Sequence, residues 1–486
     1  MNFFYIIPDG LKISGLLTWG LNLRSITQNC KLLFLNQDSP LPKSFKPDND
    51  FRRIETQASH NVKIVTDELE NFVKSFPHQP AIVIPSCGDT AFEAAHRLME
   101  RWLKKNEAQP LRIVGTIFGD QENPYNVVRY YESSISAICG NSKEITSKLR
   151  KLLPDKKNKI FHWKPFIPVI PVSSDWKKDS PLHLLFAGRL EEKTKKVSRL
   201  PKICRELVRL KIPFQLSIAG DGPEKNSLQK AFIDFNEIKS ATVRFLGSLN
   251  SEDLASAFAA NHIFLLTSKT EGLPMALLEA MSSGLCPVVM DIPSGVSEII
   301  SNKKNGILVT QGDCNAFAYG IKELYHNQNL LKKLCKASRK FVFNNYGKQK
   351  HLHFILTLAS KCLALKPPSP DKVVSFHYKA IVEMIQSKAP QSGKVGVFGA
   401  GMYGRKLIDM LIERSIVPTV IFDSMLDSAI KTYRKVPIYR PTKMTEFDIE
   451  ILFIGTADFV QEIEDKIISV YKNSEKEKPA IIHHKL

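Results

Sequence analysis

Short apolar runs recur along this chain, each followed by a turn and then by a helix-length amphipathic stretch, and that alternation limits the available folds more than any other feature. The runs FFYIIP (3–8), KLLFL (31–35), AIVIP (81–85), RIVGTIF (112–118), AICG (137–140), HLLFAG (183–188), FQLSIAG (214–220), TVRFLG (242–247), HIFLLTS (262–268), CPVVM (286–290) and GILV (306–309) read as strands. Segments such as Thr90 to Asn106 and Ser198 to Leu210 read as the intervening helices. Strand–helix alternation at this spacing predicts an α/β chain of parallel, doubly wound sheets.

The pattern breaks twice. Residues 165–181 (KPFIPVIPVSSDWKKDSP) are rich in Pro and Ser with no helical period, and KPPSPD (366–371) precedes a predicted helix over 373–387. Beyond it, KVGVFGAG (394–401) restarts the alternation, with TVIFD (419–423), VPIY (436–439), ILFIG (451–455) and AIIHH (480–484) as further strands. The expected division is 1–175, 176–365, a linker and helix over 366–392, and a last unit over 393–486 that folds independently.

Composition removes several classes. No run approaches the roughly 18 apolar residues of a spanning helix, and Met1 to Pro8 has no basic n-region, so it reads as a buried strand and not a leader. Eight cysteines stand singly with no C-x-x-C pair, which argues against a zinc site or disulfide framework and for a reducing cytoplasm. A formal charge of +19 points to phosphate-bearing partners, whether nucleic acid, an anionic membrane surface or small molecules. The densest basic run, 143–164, has Leu149, Leu152, Leu153, Phe161 and Trp163 interleaved; it reads as a solvated face or as a surface for an anionic membrane or polyanionic acceptor. Asp48-Asn49-Asp50 mimics a metal-binding D-x-D but sits in a polar stretch read as a loop, and His483-His484 has no ligand partners at metal spacing, so no metal site is expected.

Four segments carry chemistry. After a strand ending at Ser268, Glu271-Gly272-Leu273 forms a loop, Pro274 sits at the first helical position, Glu279 follows about a turn and a half later and Gly284 closes the helix. Free N–H groups at such a start attract an anion. In LLFAGRLEEKTKK (184–196) a strand leads to Arg189 and a lysine cluster suited to a diphosphate, because Arg forks onto two oxygens and Lys adds a point charge. IAGDGPEKNSL (218–228) is a strand, a glycine turn and a helix opening. Near the C-terminus Gly399-Ala400-Gly401-Met402-Tyr403-Gly404 lies between a strand and a helix, with Asp423 ending the next strand, the setting of a dinucleotide fingerprint. Each has a plainer reading: surface glutamates, a solvated helix start, an ordinary turn, a structural βαβ unit.

Taken together and in this order, the segments PDGLKISGLLTW, GRLEEKTKK, AGDGP, VRFLGSL and the E-x7-E pair Glu271 and Glu279 resemble the retaining glycosyltransferases of family 4, across residues 1–365. The resemblance implies the GT-B fold of two facing Rossmann-like domains, here with a third, small Rossmann-like domain. It implies that Arg189 and Lys195, with Lys196 as the competing register, grip a donor diphosphate. Glu271 and the backbone of Gly272, Leu273 and Pro274 would hold the transferred sugar, Glu279 the ribose hydroxyls, and Gly15 would let the first loop approach the phosphates. The sequence departs from the family at Phe118, where a histidine is usual, and at Ser14-Gly15, where two glycines are common. The last domain resembles those beside nucleotide-sugar N-acyltransferases and some methyltransferases; Gly399, Gly401, Gly404 and Asp423 would bind NAD or a nucleotide sugar there.

The expectation is therefore a metal-independent, retaining transferase that takes a nucleotide-sugar donor and a saccharide or lipid-linked acceptor. Transfer itself would need no cofactor. It would serve cell-surface polysaccharide or glycolipid assembly, in the cytoplasm or peripherally at the inner membrane face, with no nucleic-acid partner. The alternatives are a non-catalytic nucleotide-sugar-binding or scaffold subunit, motivated by Phe118, and an NAD-dependent oxidoreductase led by the last domain.

Overall fold

A computed structural model of the chain describes residues 1–7, 15–27, 29–35, 50–54, 62–86, 89–119, 122–172, 177, 180–293, 295–365, 394–400, 402–413, 415–424, 432–454, 460–472, 474 and 476–482. The chain divides into two compact units, one comprising Met1–Asp120 and Ile135–Pro367, the other Gln121–Ser134 and Pro368–Leu486.

The first unit holds two sheets. One has seven parallel strands in the order Phe51–Arg53, Cys30–Phe34, Asn2–Ile7, Ala81–Pro85, Leu111–Ile117, Ala137–Gly140, Ile160–His162. The other has six, in the order Ala241–Gly247, Phe214–Ala219, Leu182–Ala187, Ile263–Leu266, Cys286–Asp291, Ile307–Thr310, again all parallel. Inner strands such as Ala81–Pro85, Leu111–Ile117 and Ile263–Leu266 are buried at every position, as strands covered on both faces must be. The edge strand Ala241–Gly247 instead alternates exposed and half-buried residues after its buried first position. The doubly wound architecture expected from the alternation is the one observed.

Each half has its own core. In the second half Leu184, Leu265 and Val288 of the sheet pack with Leu277, Phe317 and Tyr346 of the helices. In the first, Tyr5, Ile82 and Val114 pack with Trp19, Trp163 and the residues Ile355, Leu358 and Cys362 of the helix Lys348–Ala364, which returns to this half. Arg112 secures that return by donating to the carbonyls of Cys362 (2.9 Å) and Leu365 (2.6 Å).

The basic run 143–164 resolves into three elements. Ser142 accepts from the Ile145 N–H at 3.2 Å and starts the helix Lys143–Leu152, whose buried side is Ile145, Thr146 and Leu149. A 3₁₀ turn Pro154–Lys159 leads to the strand Ile160–His162, and Lys148, Arg150, Lys151 and Lys157 remain exposed.

The second unit carries a six-stranded sheet ordered Thr432–Tyr433, Val436–Tyr439, Val420–Phe422, Val395–Phe398, Ile451–Ile454, Ala480–Ile482, parallel except for the terminal hairpin. Its sheet is covered by the helices Met402–Glu413, through Ile408 and Leu411, and Val460–Lys472, through Ile467 and Tyr471. No helix among the described residues is long and apolar enough to cross a membrane.

Candidate active site

In an open α/β sheet a ligand binds where neighbouring strands send their connections to opposite sides. In the second sheet that point lies between Leu182–Ala187 and Ile263–Leu266, and the two loops that leave it carry most of the residues singled out from the sequence. They are stitched together: Lys269 N–H donates to Thr194 O at 2.7 Å, Thr267 Oγ1 to Lys195 O at 2.9 Å, and Arg199 Nη1 to Thr267 O at 2.6 Å. Across the seam Lys195 Nζ donates to Glu271 Oε1 at 2.7 Å, and Ser268 Oγ donates to the same oxygen at 2.6 Å. Ser268 and Arg199 were not picked out by sequence reading; only Arg199, basic at the start of a helix, offered any signal.

The two lysine registers separate in space. Lys195 meets Glu271, whereas Lys196, at φ 52°, turns its ammonium to Glu192 at 3.5 Å. Arg189 is largely exposed, 3.6 Å from Glu191, and so keeps most of its guanidinium available. The helix begins one residue later than expected: it spans Met275–Ser282 with Pro274 as its extended cap, and Gly284 ends it at φ 84°.

Glu279 is the most unusual group in the site. It is only partly accessible, and its carboxylate makes no hydrogen bond or ion pair to any described residue. Burial pushes its carboxyl up to about 7. An unpaired, desolvated carboxylate is costly unless something supplies donors to it.

Gly272 lies where the two halves of the first unit meet. A Cβ on it would stand 2.0 Å from Phe118 O, so no other residue permits this approach. Phe118 O also accepts from Asn141 Nδ2 at 3.1 Å, while its ring packs on Trp19 at a centroid distance of 4.8 Å. The backbone of Phe118 thus borders the loop, and its side chain belongs to the aromatic core of the first half. Met275 packs against both cores. Gly15 starts the helix Gly15–Thr27; the loop before it, including Ser14, lies outside the described residues, as do Asp48, Asn49 and the histidine pair. Asp50 accepts from Lys31 Nζ at 2.5 Å beside an edge strand.

In the second unit Gly399 has φ 104°, and Asp423 Oδ2 accepts from the Ala400 N–H at 2.5 Å, so this acid braces the glycine turn. Gly404 is buried in the following helix, and Gly401 lies outside the described residues.

Comparison with known proteins agrees with this geometry. Residues 172–341 match the family described as glycosyl transferases group 1. The chain is 31% identical to sulfoquinovosyl transferase SQD2 of Arabidopsis thaliana over 170 residues, 34% of this chain and 31% of that protein. It is 28% identical to the O-antigen biosynthesis glycosyltransferase WbnH of Escherichia coli over 225 residues, 46% of this chain and 60% of that one. The chain thus spans less than two thirds of the length of these relatives. Among solved structures, the lipopolysaccharide outer core galactosyltransferase WaaB superposes with a TM-score of 0.53 at 18% identity, covering 74% of this chain and all of WaaB. Anabaena HepE in complex with UDP and glucose gives 0.57 at 14%, with 74% and 100% covered. The fold is that of GT-B glycosyltransferases.

Proposed function

We propose that the chain is a retaining glycosyltransferase that uses a nucleoside-diphosphate sugar and acts in the assembly of a cell-surface polysaccharide or glycolipid. The observation that carries this reading is Glu279: a half-buried carboxylate without a partner, beside a cationic seam, suits a ligand with both hydroxyl donors and phosphate charge. Arg189, Lys195 and the helix start after Pro274 supply positive potential to a leaving diphosphate. Glu279 accepts from ribose hydroxyls, and Glu271, oriented by Lys195 and Ser268, faces the sugar with the Gly272 backbone. Because Glu271 is already held by two donors, we assign attack to the acceptor hydroxyl on the face the diphosphate leaves: the C1–O bond to phosphate breaks, the new C1–O bond forms, and the hydroxyl proton passes to the departing phosphate. These groups meet the leaving-group charge themselves, which is the basis for assigning a metal-independent reaction.

The O-antigen biosynthesis glycosyltransferase named above supports a saccharide acceptor, free or lipid-linked in this proposal. The exposed Lys148, Arg150, Lys151 and Lys157 suit peripheral contact with an anionic membrane. The glycine turn of the second unit is assigned a second nucleotide, NAD or a nucleotide sugar.

Calorimetric titration with UDP-, GDP- and ADP-sugars tests the donor site. Charged contacts of this kind contribute about 1.5–3 kcal/mol, so Lys195→Ala should weaken the best donor roughly ten- to hundredfold. Unchanged affinity would remove Lys195 from the site.

A further inference from the structure

The short helix Val296–Ile299 of the second half carries Glu298, whose carboxylate meets Lys143 and His162 of the first half. Its two oxygens accept from the Lys143 backbone N–H at 3.2 and 3.3 Å, at the start of the helix Lys143–Leu152. His162 Nε2 stands 3.8 Å away, and the Lys164 ammonium lies close enough to act on it through space. The Glu298 side chain is only 7% exposed. Burying a carboxylate between two domains is expensive unless donors and cations meet it there; the free N–H groups of a helix start, with Lys143 and Lys164, offset part of that cost, and burial still holds the carboxyl above its ordinary value.

The same turn supports the sugar-facing loop. Gly295 N–H donates to Gly272 O at 3.0 Å, and a Cβ on Gly295 would come within 2.6 Å of that oxygen. Gly272 in turn abuts Phe118 O. The path from Glu298 through Gly295 to Gly272 therefore runs along four residues of one short helix and its cap to one loop, with the first half at both ends.

We infer that Glu298 is a positioning residue: its ion-dipole contact with the Lys143 helix holds the two halves closed and thereby fixes the Gly272 loop against the first half. This rests on the donor-site reading, because what it positions is the loop assigned to the sugar. Arg189, Lys195 and Glu279, assigned to the nucleoside diphosphate, all lie in the second half and do not depend on the latch.

Two variants separate the latch from a general loss of fold. Glu298→Ala removes the acceptor. Lys143→Pro removes the donor from the other side, at a first helical position that tolerates proline and after Ser142, whose φ −132° and ψ 160° suit a residue before proline. Each should raise KM for the nucleotide sugar and lower kcat, about tenfold or more in kcat/KM given the sensitivity of transfer to small displacements. Affinity for the free nucleoside diphosphate should stay within about twofold, and the double variant should lose little beyond either single one. Glu298→Gln, which keeps an acceptor oxygen, should restore part of the activity. Small-angle scattering of the unliganded protein should show a larger radius of gyration for both single variants. Unchanged kinetics and radius in folded Glu298→Ala would overturn the latch, as would fully additive losses. If the unaltered protein binds no nucleoside diphosphate, the donor reading fails instead, and scattering alone still decides the latch.

Discussion

At Glu279 the cost of burying a carboxyl meets the donor contact proposed for it. Its carboxyl, 4.5 in an ordinary setting, is raised to about 7 by burial. The folded chain thus holds this proton more tightly than the unfolded chain. Its contribution to stability is therefore greatest below the unfolded value and is lost as pH rises through about 7. Glu279→Gln should raise the melting temperature at about pH 8 and flatten its dependence between about pH 5 and 7, while donor affinity falls. Thermal denaturation across that range is the check; an unaltered pH slope would mean the carboxylate is well solvated. The E-x7-E spacing marked both glutamates in the sequence. Their different states, one tied to Lys195 and Ser268 and the other unpaired, depend on a loop 76 residues away along the chain and carry no local signal.

Among elements, the buried strands were legible because their apolar runs are continuous and their turns carry Gly and Pro. The strands Phe51–Arg53 and Ile160–His162 were not, since both are three residues long, lie at sheet edges and carry Arg or His, so tertiary pairing and not local pattern makes them strands. The Pro274 helix was placed within one residue, but the role of Gly272 was visible only once the strand ending at Ile117 brought Phe118 beside it. Gly272→Ala should consequently force the loop and the Phe118 backbone apart. We expect at least about a tenfold loss of kcat with nucleoside-diphosphate affinity retained, read by steady-state kinetics and calorimetry. Equal losses in both would place Gly272 in the phosphate site.

At the scale of the molecule, the sheet orders follow from strand–helix alternation, whereas the grouping of Gln121–Ser134 with the C-terminal unit does not, because no composition change marks residues 120 or 135. The sequence breaks at 165–181 and 366–371 are real punctuation in Pro and Ser, yet they mark connections and say nothing about which helix a neighbouring unit recruits. A fragment 393–486 therefore lacks a segment whose Val127, Val128 and Tyr131 are buried in the intact chain. It should unfold at a lower temperature than the same unit within the full protein, as followed by hydrogen exchange of Val395–Phe398; equal protection would show that 121–134 adds nothing to it. The central claim is that the second half of the larger unit cleaves a nucleotide sugar with retention. The most direct measurement is proton NMR of the tightest-binding UDP-, GDP- or ADP-sugar during incubation with the protein and with Glu279→Ala. The account predicts release of the nucleoside diphosphate, a first-formed sugar product with the donor's anomeric configuration, and a rate at least about tenfold lower in the variant. Donor that binds but is never cleaved, or a product of inverted configuration, would contradict it.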